Sequence, residues 1–314
     1  IKEIKDYFQV ELARTLNLNR VSAPLFVRPE TGLNDNLSGE EMPVHFVMPR
    51  YGISAEIVQS LAKWKRDALR RYEFDLYEGI YTDMNAIRKD EILDPLHSIY
   101  VDQWDWELRI DKEDRNEVFL RDLIKRLYQV FLGTERQLDR LYPGRFSKKL
   151  PEEIFFINSQ ELENLYPELN PEEREREITR EHKAVFIQAI GDKLKSGISH
   201  GSRSPDYDDW KLNGDIIFWN PVLDREVELS SMGIRVDEKT LMDQLVKANA
   251  THRLNQNYHQ DLLAGRLPYT IGGGIGQSRI CMYFLEKRHI GEVQAAIWPD
   301  EMIVSCKNKG IELL

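Results

Sequence analysis

The first sixteen residues place Ile4, Phe8, Leu12 and Leu16 four apart with charged side chains between them. That spacing gathers the apolar positions on one helical face, so the chain is expected to open on an amphipathic helix ended by Asn17 and Asn19. The run 21–27, Val-Ser-Ala-Pro-Leu-Phe-Val, then reads as a short strand interrupted by Pro24. A strand tolerates proline mainly at an edge or a bulge, which makes this edge a candidate interface. The polar run 31–41 reads as a loop carrying Asp35, either a solvated turn or a functional segment. Glu56, Ile57 and Val58 read as a strand leading into a helix from near Ser60, whose hydroxyl can cap it. Lys63 and Lys65 fall on the first turns of that helix, where the macrodipole disfavours cations. Either something anionic compensates at least one of them, or both are surface lysines.

From Gly79 to Leu108 the alternation predicts two strands around a charged loop. Side chains at i and i+2 share a strand face, so Gln103, Asp105 and Glu107 line one side and Trp104 and Trp106 the other. The polar row is either the solvent side or a ligand-bearing face; Arg88, at the end of the first strand, is placed to meet a ligand there. Leu120, Leu123, Leu127, Phe131, Leu138 and Leu141 predict a long amphipathic helix over 115–142, and Asn170-Pro171-Glu172-Glu173 opens another with a capping Asn and Pro at its first position. Ala-Val-Phe-Ile-Gln-Ala-Ile-Gly reads as a strand, and the polar stretch 195–210 as a mobile loop. Its acidic cluster, Asp206, Asp208 and Asp209, is either solvated or able to hold an ammonium group.

Residues 212–237 read as a hairpin about Pro221. Antiparallel pairing can bring Asp215 and Glu228 together, two hard oxygen ligands suited to Mg²⁺ bridging phosphates, with Arg235 following. Gly272, Gly273, Gly274 and Gly276 then crowd into five positions ahead of Arg279 and an apolar helical run. Glycine lets a backbone approach a ligand or another strand closely. An arginine on the helix's first turn can reach phosphate oxygens with a rigid fork. The string is neither a Walker loop nor a dinucleotide fingerprint.

Composition narrows the classes. The chain has 314 residues, enough for one large domain or two ordinary ones, and 43 basic against 53 acidic side chains give 43 − 53 = −10. That balance argues against a surface built to neutralise nucleic-acid phosphates. Cys281 and Cys306 make neither a disulfide framework nor a zinc site, and His252 and His259 read as ordinary helix-surface residues. No apolar run approaches the roughly 18 residues of a membrane span, and no secretory leader pattern opens the chain, so a cytoplasmic protein without membrane partners is expected.

Taken together, the strings DNLSG, SLAKWKR, LHSIYVDQWDWE, PDYDDW, LNGD, ELSSMGIRVD and GGGIGQSR resemble the ammonia-dependent asparagine synthetases, the aspartate–ammonia ligases that share the catalytic fold of class II aminoacyl-tRNA synthetases. The resemblance covers essentially the whole chain. It implies an α+β fold, an antiparallel sheet flanked by helices, in a single catalytic domain over 1–314 with a helical insertion at roughly 111–182. It also implies a homodimer through the first helix and the Pro24 strand.

The same resemblance implies aspartate, ammonia and ATP as substrates, with Mg²⁺ held by Asp215 and Glu228. Arg88, Glu91, Ser98, Gly272, Gly273, Gly274 and Arg279 would meet ATP, with Arg88 and Arg279 on its phosphates. Ser60, Lys65, Gln103, Asp105, Asp208, Ser231 and Arg235 would meet aspartate, and Asp35 the ammonia. Only Lys211 separates PDYDDW from LNGD, where relatives can carry a longer loop, which puts a lid over the site in doubt. The competing readings are an aspartyl-tRNA synthetase-like paralogue, which would want an anticodon-binding domain and a basic face, and a nucleotide-binding regulatory module, which would lack the arginines and carboxylates present here. A glutamine-dependent route is disfavoured, because both cysteines come late.

Overall fold

The computed structural model describes residues 1–35, 37 and 41–314; Asn36, Ser38 and Gly39 of the DNLSG string, and Glu40, lie outside the described residues. In order the elements are α1 (Lys2–Leu16), β1 (Leu18–Arg20), β2 (Phe26–Val27), β3 (His45–Met48), β4 (Ile53–Ile57), α2 (Ala62–Arg71), β5 (Gly79–Ile87), β6 (Tyr100–Arg109), α3 (Glu117–Leu141) and β7 (Phe155–Asn158). There follow α4 (Ser159–Leu165), α5 (Pro171–His182), β8 (Ala184–Gln188), β9 (Asp208–Asn220), β10 (Arg225–Arg235), α6 (Glu238–Lys247), α7 (Asn257–Leu263), β11 (Thr270–Gly276), α8 (Gln277–Phe284) and α9 (Asp300–Asn308).

Eight strands form one sheet in the order β1-β5-β6-β11-β10-β9-β8-β7, and β2-β4-β3 form a small second sheet. The middle of the large sheet is antiparallel; only the outer pairs β1/β5 and β7/β8 run parallel. The fold is thus the expected helix-flanked α+β arrangement. The segment 111–182 supplies α3, α4 and α5, and it also supplies β7 to the sheet, so it is not purely helical.

The period-2 alternation of β6 decides which face is core. Trp104 and Trp106 enter the apolar layer beneath α1 and α3, and Phe8 of α1 stacks on Trp104 with ring centroids 4.8 Å apart. Ile4, Phe8, Leu12 and Leu16 are all buried, each contributing about 1.5–3 kcal/mol of apolar burial. Asn17 ends α1 in the left-handed conformation, while Asn19 belongs to β1 and plays no part in the stop.

Several local expectations shift. Only Phe26–Val27 of the 21–27 run is strand. The second helix begins at Ala62, and Ser60 Oγ accepts from Ala62 N at 3.1 Å rather than closing a full cap. The stretch expected as a mobile loop packs inward, burying His200, Ser204, Asp206, Asp208 and Asp209, and its last residues already belong to β9. That strand runs without interruption through Lys211, so the short connection there is continuous sheet.

Candidate active site

Where β6, β11 and β10 lie side by side, their polar faces form the floor of a cavity of about 360 Å³. Register sets the floor: Gly272, Gly274 and Gly276 stand opposite Glu107, Asp105 and Gln103, and Gly274 opposite Ser231. The row Gln103, Asp105, Glu107 is therefore not the solvent side. A Cβ at Gly272 would lie 1.9 Å from Glu107 Oε2, and one at Gly274 would lie 2.3 Å from Gln103 Oε1. These glycines make room first for the protein's own side chains. Gly273, Gly274 and Gly276 line the cavity, whereas Glu107 and Arg235 take the space before Gly272.

Arg235 is buried at one end of the floor. Its Nε donates to Glu107 Oε1 at 3.0 Å, its Nη2 to Glu107 Oε2 at 2.7 Å, and its Nη1 to Asp208. Burial disfavours both charges, but their mutual attraction outweighs it: the Glu107 carboxyl is held below its usual range and the Arg235 guanidinium above. Lys65 reaches the same floor from α2, with Nζ 2.9 Å from Gly273 O and 3.2 Å from Asp105 Oδ2. Its ammonium is pushed down by burial, opposed by Asp105. Neither Lys63 nor Lys65 is a surface lysine; anions compensate both, Asp206 at 3.2 Å and Asp105.

A bulge between Glu228 and Ser230 puts Glu228 and Ser231 on one face although they are three apart. Asp215 pairs in register with Ser231 and lies close enough to Glu228 for the two carboxylates to interact. Burial, with Glu228 adding to it, pushes the Asp215 carboxyl up against the opposing pull of Arg203. Arg203 Nη2 is 2.6 Å from Asp215 Oδ1 and its Nη1 donates to Ser231 Oγ. Among the described residues no three His, Cys, Asp or Glu side chains are grouped to hold a metal. Two carboxylates without a cage suit an ion carried largely by phosphates, as Mg²⁺ commonly is, so the donor set fits.

Arg88 and Arg279 both line the cavity. Arg279, on the first turn of α8, donates from Nη1 to Glu228 O at 2.9 Å. Arg88 Nε is buried with no hydrogen-bond partner among the described residues, and its Nη2 meets Gln59 O only at 3.4 Å. Glu91, Ser98, Ser60 and Gln103 line the same cavity.

Asp35 is buried, and its Oδ1 lies 3.2 Å from the hydroxyl of Ser204, a cavity-wall residue. Behind both sits Asp206, ringed by Lys63, Arg253 and His259. His259 is fully buried and bonded to Asp206 at 2.9 Å, which overturns its reading as a helix-surface residue; His252 is exposed. Of the site residues read from sequence, all but Asp35, Asp215 and Gly272 line this one cavity. The structure adds Arg203, Ser204, His259 and the Glu107–Arg235 pairing, which the sequence did not single out as site features, and it buries Asp206, read there as solvated or able to hold an ammonium group, against Lys63. The local signals for this group were the acidic cluster that includes Asp206 and Lys63, a cation at a helix start.

The aspartate-ammonia ligase family model matches residues 1–310. The aspartate–ammonia ligase of Ruminiclostridium cellulolyticum is 61% identical over all of this chain and 94% of its own, and that of Clostridium tetani 59% identical over all of this chain and 92% of its own. Among solved structures, the asparaginyl-tRNA synthetase of Entamoeba histolytica superposes with a TM-score of 0.64 at 16% identity, over 93% of this chain and 65% of that one. The Pyrococcus horikoshii asparaginyl-tRNA synthetase, solved with asparaginyl-adenylate, gives 0.64 at 14% identity, over 95% of this chain and 70% of its own. This chain spans about two thirds of those synthetases' length, and the likeness is one of fold, that of class II synthetases. Relatives of this identity over the full chain and a family match from end to end leave one conclusion: the chain belongs to the aspartate–ammonia ligase family, the enzymes that join ammonia to aspartate.

Proposed function

We propose that the cavity activates the β-carboxylate of aspartate with ATP, releasing pyrophosphate, and that ammonia then displaces AMP from the β-aspartyl adenylate to give asparagine. The observation that carries this reading is one cavity holding two kinds of group. On its floor are two buried cations, each paired with a carboxylate: Lys65 with Asp105, and Arg235 with Asp208 and Glu107. On its wall is Arg88, with an unsatisfied donor. A zwitterion carrying an extra carboxylate matches such a floor, and a phosphoryl group matches such a wall.

In this reading Lys65 and Arg235 grip the α-carboxylate, Asp105 or Asp208 takes the α-ammonium, and Ser60, Gln103 and Ser231 complete the polar contacts. The β-carboxylate then faces the α-phosphate held by Arg88. A β-carboxylate oxygen attacks phosphorus as the bond to pyrophosphate breaks, and preorganised charge from Arg88 and Arg279 steadies the charge that develops. Glu91, Ser98 and the strand Gly272–Gly274 belong to the nucleotide side. Asp215 and Glu228 would hold Mg²⁺, which supplies charge neutralisation at the phosphates. Asp35 takes the proton that ammonium must lose before its nitrogen can attack.

The reading includes one catalytic domain over the chain and a homodimer through the first helix and the small sheet. The exposed apolar side chains Leu25, Phe26, Met42 and Val47 support the latter. Pyrophosphate release with aspartate and ATP tests the function, with ammonium, glutamine or tRNA as the variable. Ammonium alone should support asparagine formation. Release that depends on tRNA would favour the synthetase-like alternative.

A further inference from the structure

Asp35 and Asp206 share one hydroxyl, that of Ser204. Ser204 Oγ lies 2.8 Å from Asp206 Oδ1 and 3.2 Å from Asp35 Oδ1, with Arg253 Nη1 donating towards it at 3.4 Å. A serine has a single hydrogen to give, so it cannot satisfy two ionised carboxylates together. The two are not equivalent. Asp206 Oδ2 receives Lys63 Nζ at 3.2 Å and Arg253 Nη1 at 3.0 Å, and His259 Nε2 lies 2.9 Å from it. Asp35 Oδ2 is buried without a hydrogen-bond partner among the described residues. Asp206 is therefore fixed as the anion, and Asp35 is the group with room for a proton.

From this we propose that Ser204 relays a proton from ammonium in the cavity to Asp35, and that Asp206 positions the Ser204 hydroxyl for it. The proposal rests on the reading of Asp35 as the proton acceptor. Ammonium gives a proton to Ser204 Oγ while the serine hydrogen passes to Asp35 Oδ1. The freed lone pair forms the N–C bond at the β-carbonyl, the C–O bond to AMP breaks, and the second proton that nitrogen must lose to become an amide leaves with the departing AMP phosphate. Asp35, now protonated, donates back to Ser204, which turns its hydrogen towards Asp206. Ser204 lines the cavity and Asp35 is only 1% exposed, so the hydroxyl stands where cavity and carboxylate meet. The charged and titratable groups facing Asp35 are Lys63 from α2, Arg253 from the turn before α7, and Asp206 and Tyr207 from the segment leading into β9; His259 of α7 acts through Asp206. Burial and Asp206 together push the Asp35 carboxyl up to about 6 against the pull of Lys63, consistent with a group that takes and returns a proton near neutral pH.

The test compares ammonium with hydroxylamine, a nucleophile whose nitrogen is already unprotonated at neutral pH. In Ser204→Ala the ratio of ammonium-supported to hydroxylamine-supported turnover should fall about tenfold or more, and the ammonium rate should climb more steeply with pH as free ammonia accumulates. Asp206→Asn should lower the ratio in the same sense. If Ser204→Ala does not fold, Ser204→Cys gives the same comparison with a weaker donor. An unchanged ratio in the Ser204 variant overturns the relay. Asp35→Asn separates the layers: if it too leaves the ratio unchanged, Asp35 is not the acceptor; if it alone lowers the ratio, only the relay fails.

Discussion

Arg203 Nη2 lies 2.6 Å from Asp215 Oδ1, so a carboxylate proposed to hold Mg²⁺ is matched by a cation of the chain itself. Removing one partner of a buried pair leaves an uncompensated charge, at a cost of about 3–5 kcal/mol. Arg203→Gln should therefore lower the urea midpoint, and saturating Mg²⁺ should recover part of the loss. A deficit identical with and without Mg²⁺ would mean that the metal does not pair with Asp215.

Arg88 and Arg279 each offer a fork to developing phosphate charge. Arg88→Ala and Arg279→Ala should each lower turnover by at least about 10²-fold, the scale of losing one preorganised contact in a transition state. A loss of only a few-fold in steady-state assays would remove that residue from the proposed phosphate-binding role.

The floor of the cavity should be intolerant of a single methyl group. In Gly272→Ala the new Cβ would stand 1.9 Å from Glu107 Oε2 and 2.6 Å from Arg235 Nη2. Overpacking costs about 1–3 kcal/mol, and disturbing the buried ion pair adds to it. Gly201→Ala, where the nearest atom is Ile190 Cγ2 at 3.4 Å, should stay within about 0.5 kcal/mol. Thermal unfolding of the two variants side by side checks the contrast; equal melting temperatures would contradict it.

Asp35 should trade stability for function. Its carboxyl is raised from the ordinary 3.8 to about 6, so between those pH values the native state binds more protons than the unfolded chain, and stability falls as pH rises. Asp35→Asn removes that slope. Relative to the parent it should gain on the order of 2–3 kcal/mol from pH 4 to pH 7, about two pKa units at 1.36 kcal/mol each, while losing ammonium-supported turnover. A stability difference that does not change with pH would contradict the assignment.

Features set by local periodicity were legible in the sequence: the Ile4–Leu16 stripe, the β6 alternation, the hairpin about Pro221 and the glycine strand ending at Arg279. Features set by distant pairing were not. Lys63 and Asp206 are 143 positions apart, and Glu107 and Arg235 are 128 apart. A charge is read as solvated until topology brings its partner, which is why His259 and the 195–210 stretch were expected at the surface. The bulge at Glu228 was equally invisible, yet it is what sets Glu228 and Ser231 on one face.

The central claim is that the β-carboxylate of aspartate attacks the α-phosphate, with the α-carboxylate gripped by Lys65 and Arg235. Aspartate labelled with oxygen-18 in one carboxylate at a time, turned over with ATP and ammonium, tests this directly by mass spectrometry of the nucleotide and pyrophosphate produced. Label from the β-carboxylate should appear in AMP, one oxygen per turnover, and none should come from the α-carboxylate. Label arriving from the α-carboxylate, or absent from AMP altogether, would contradict the account.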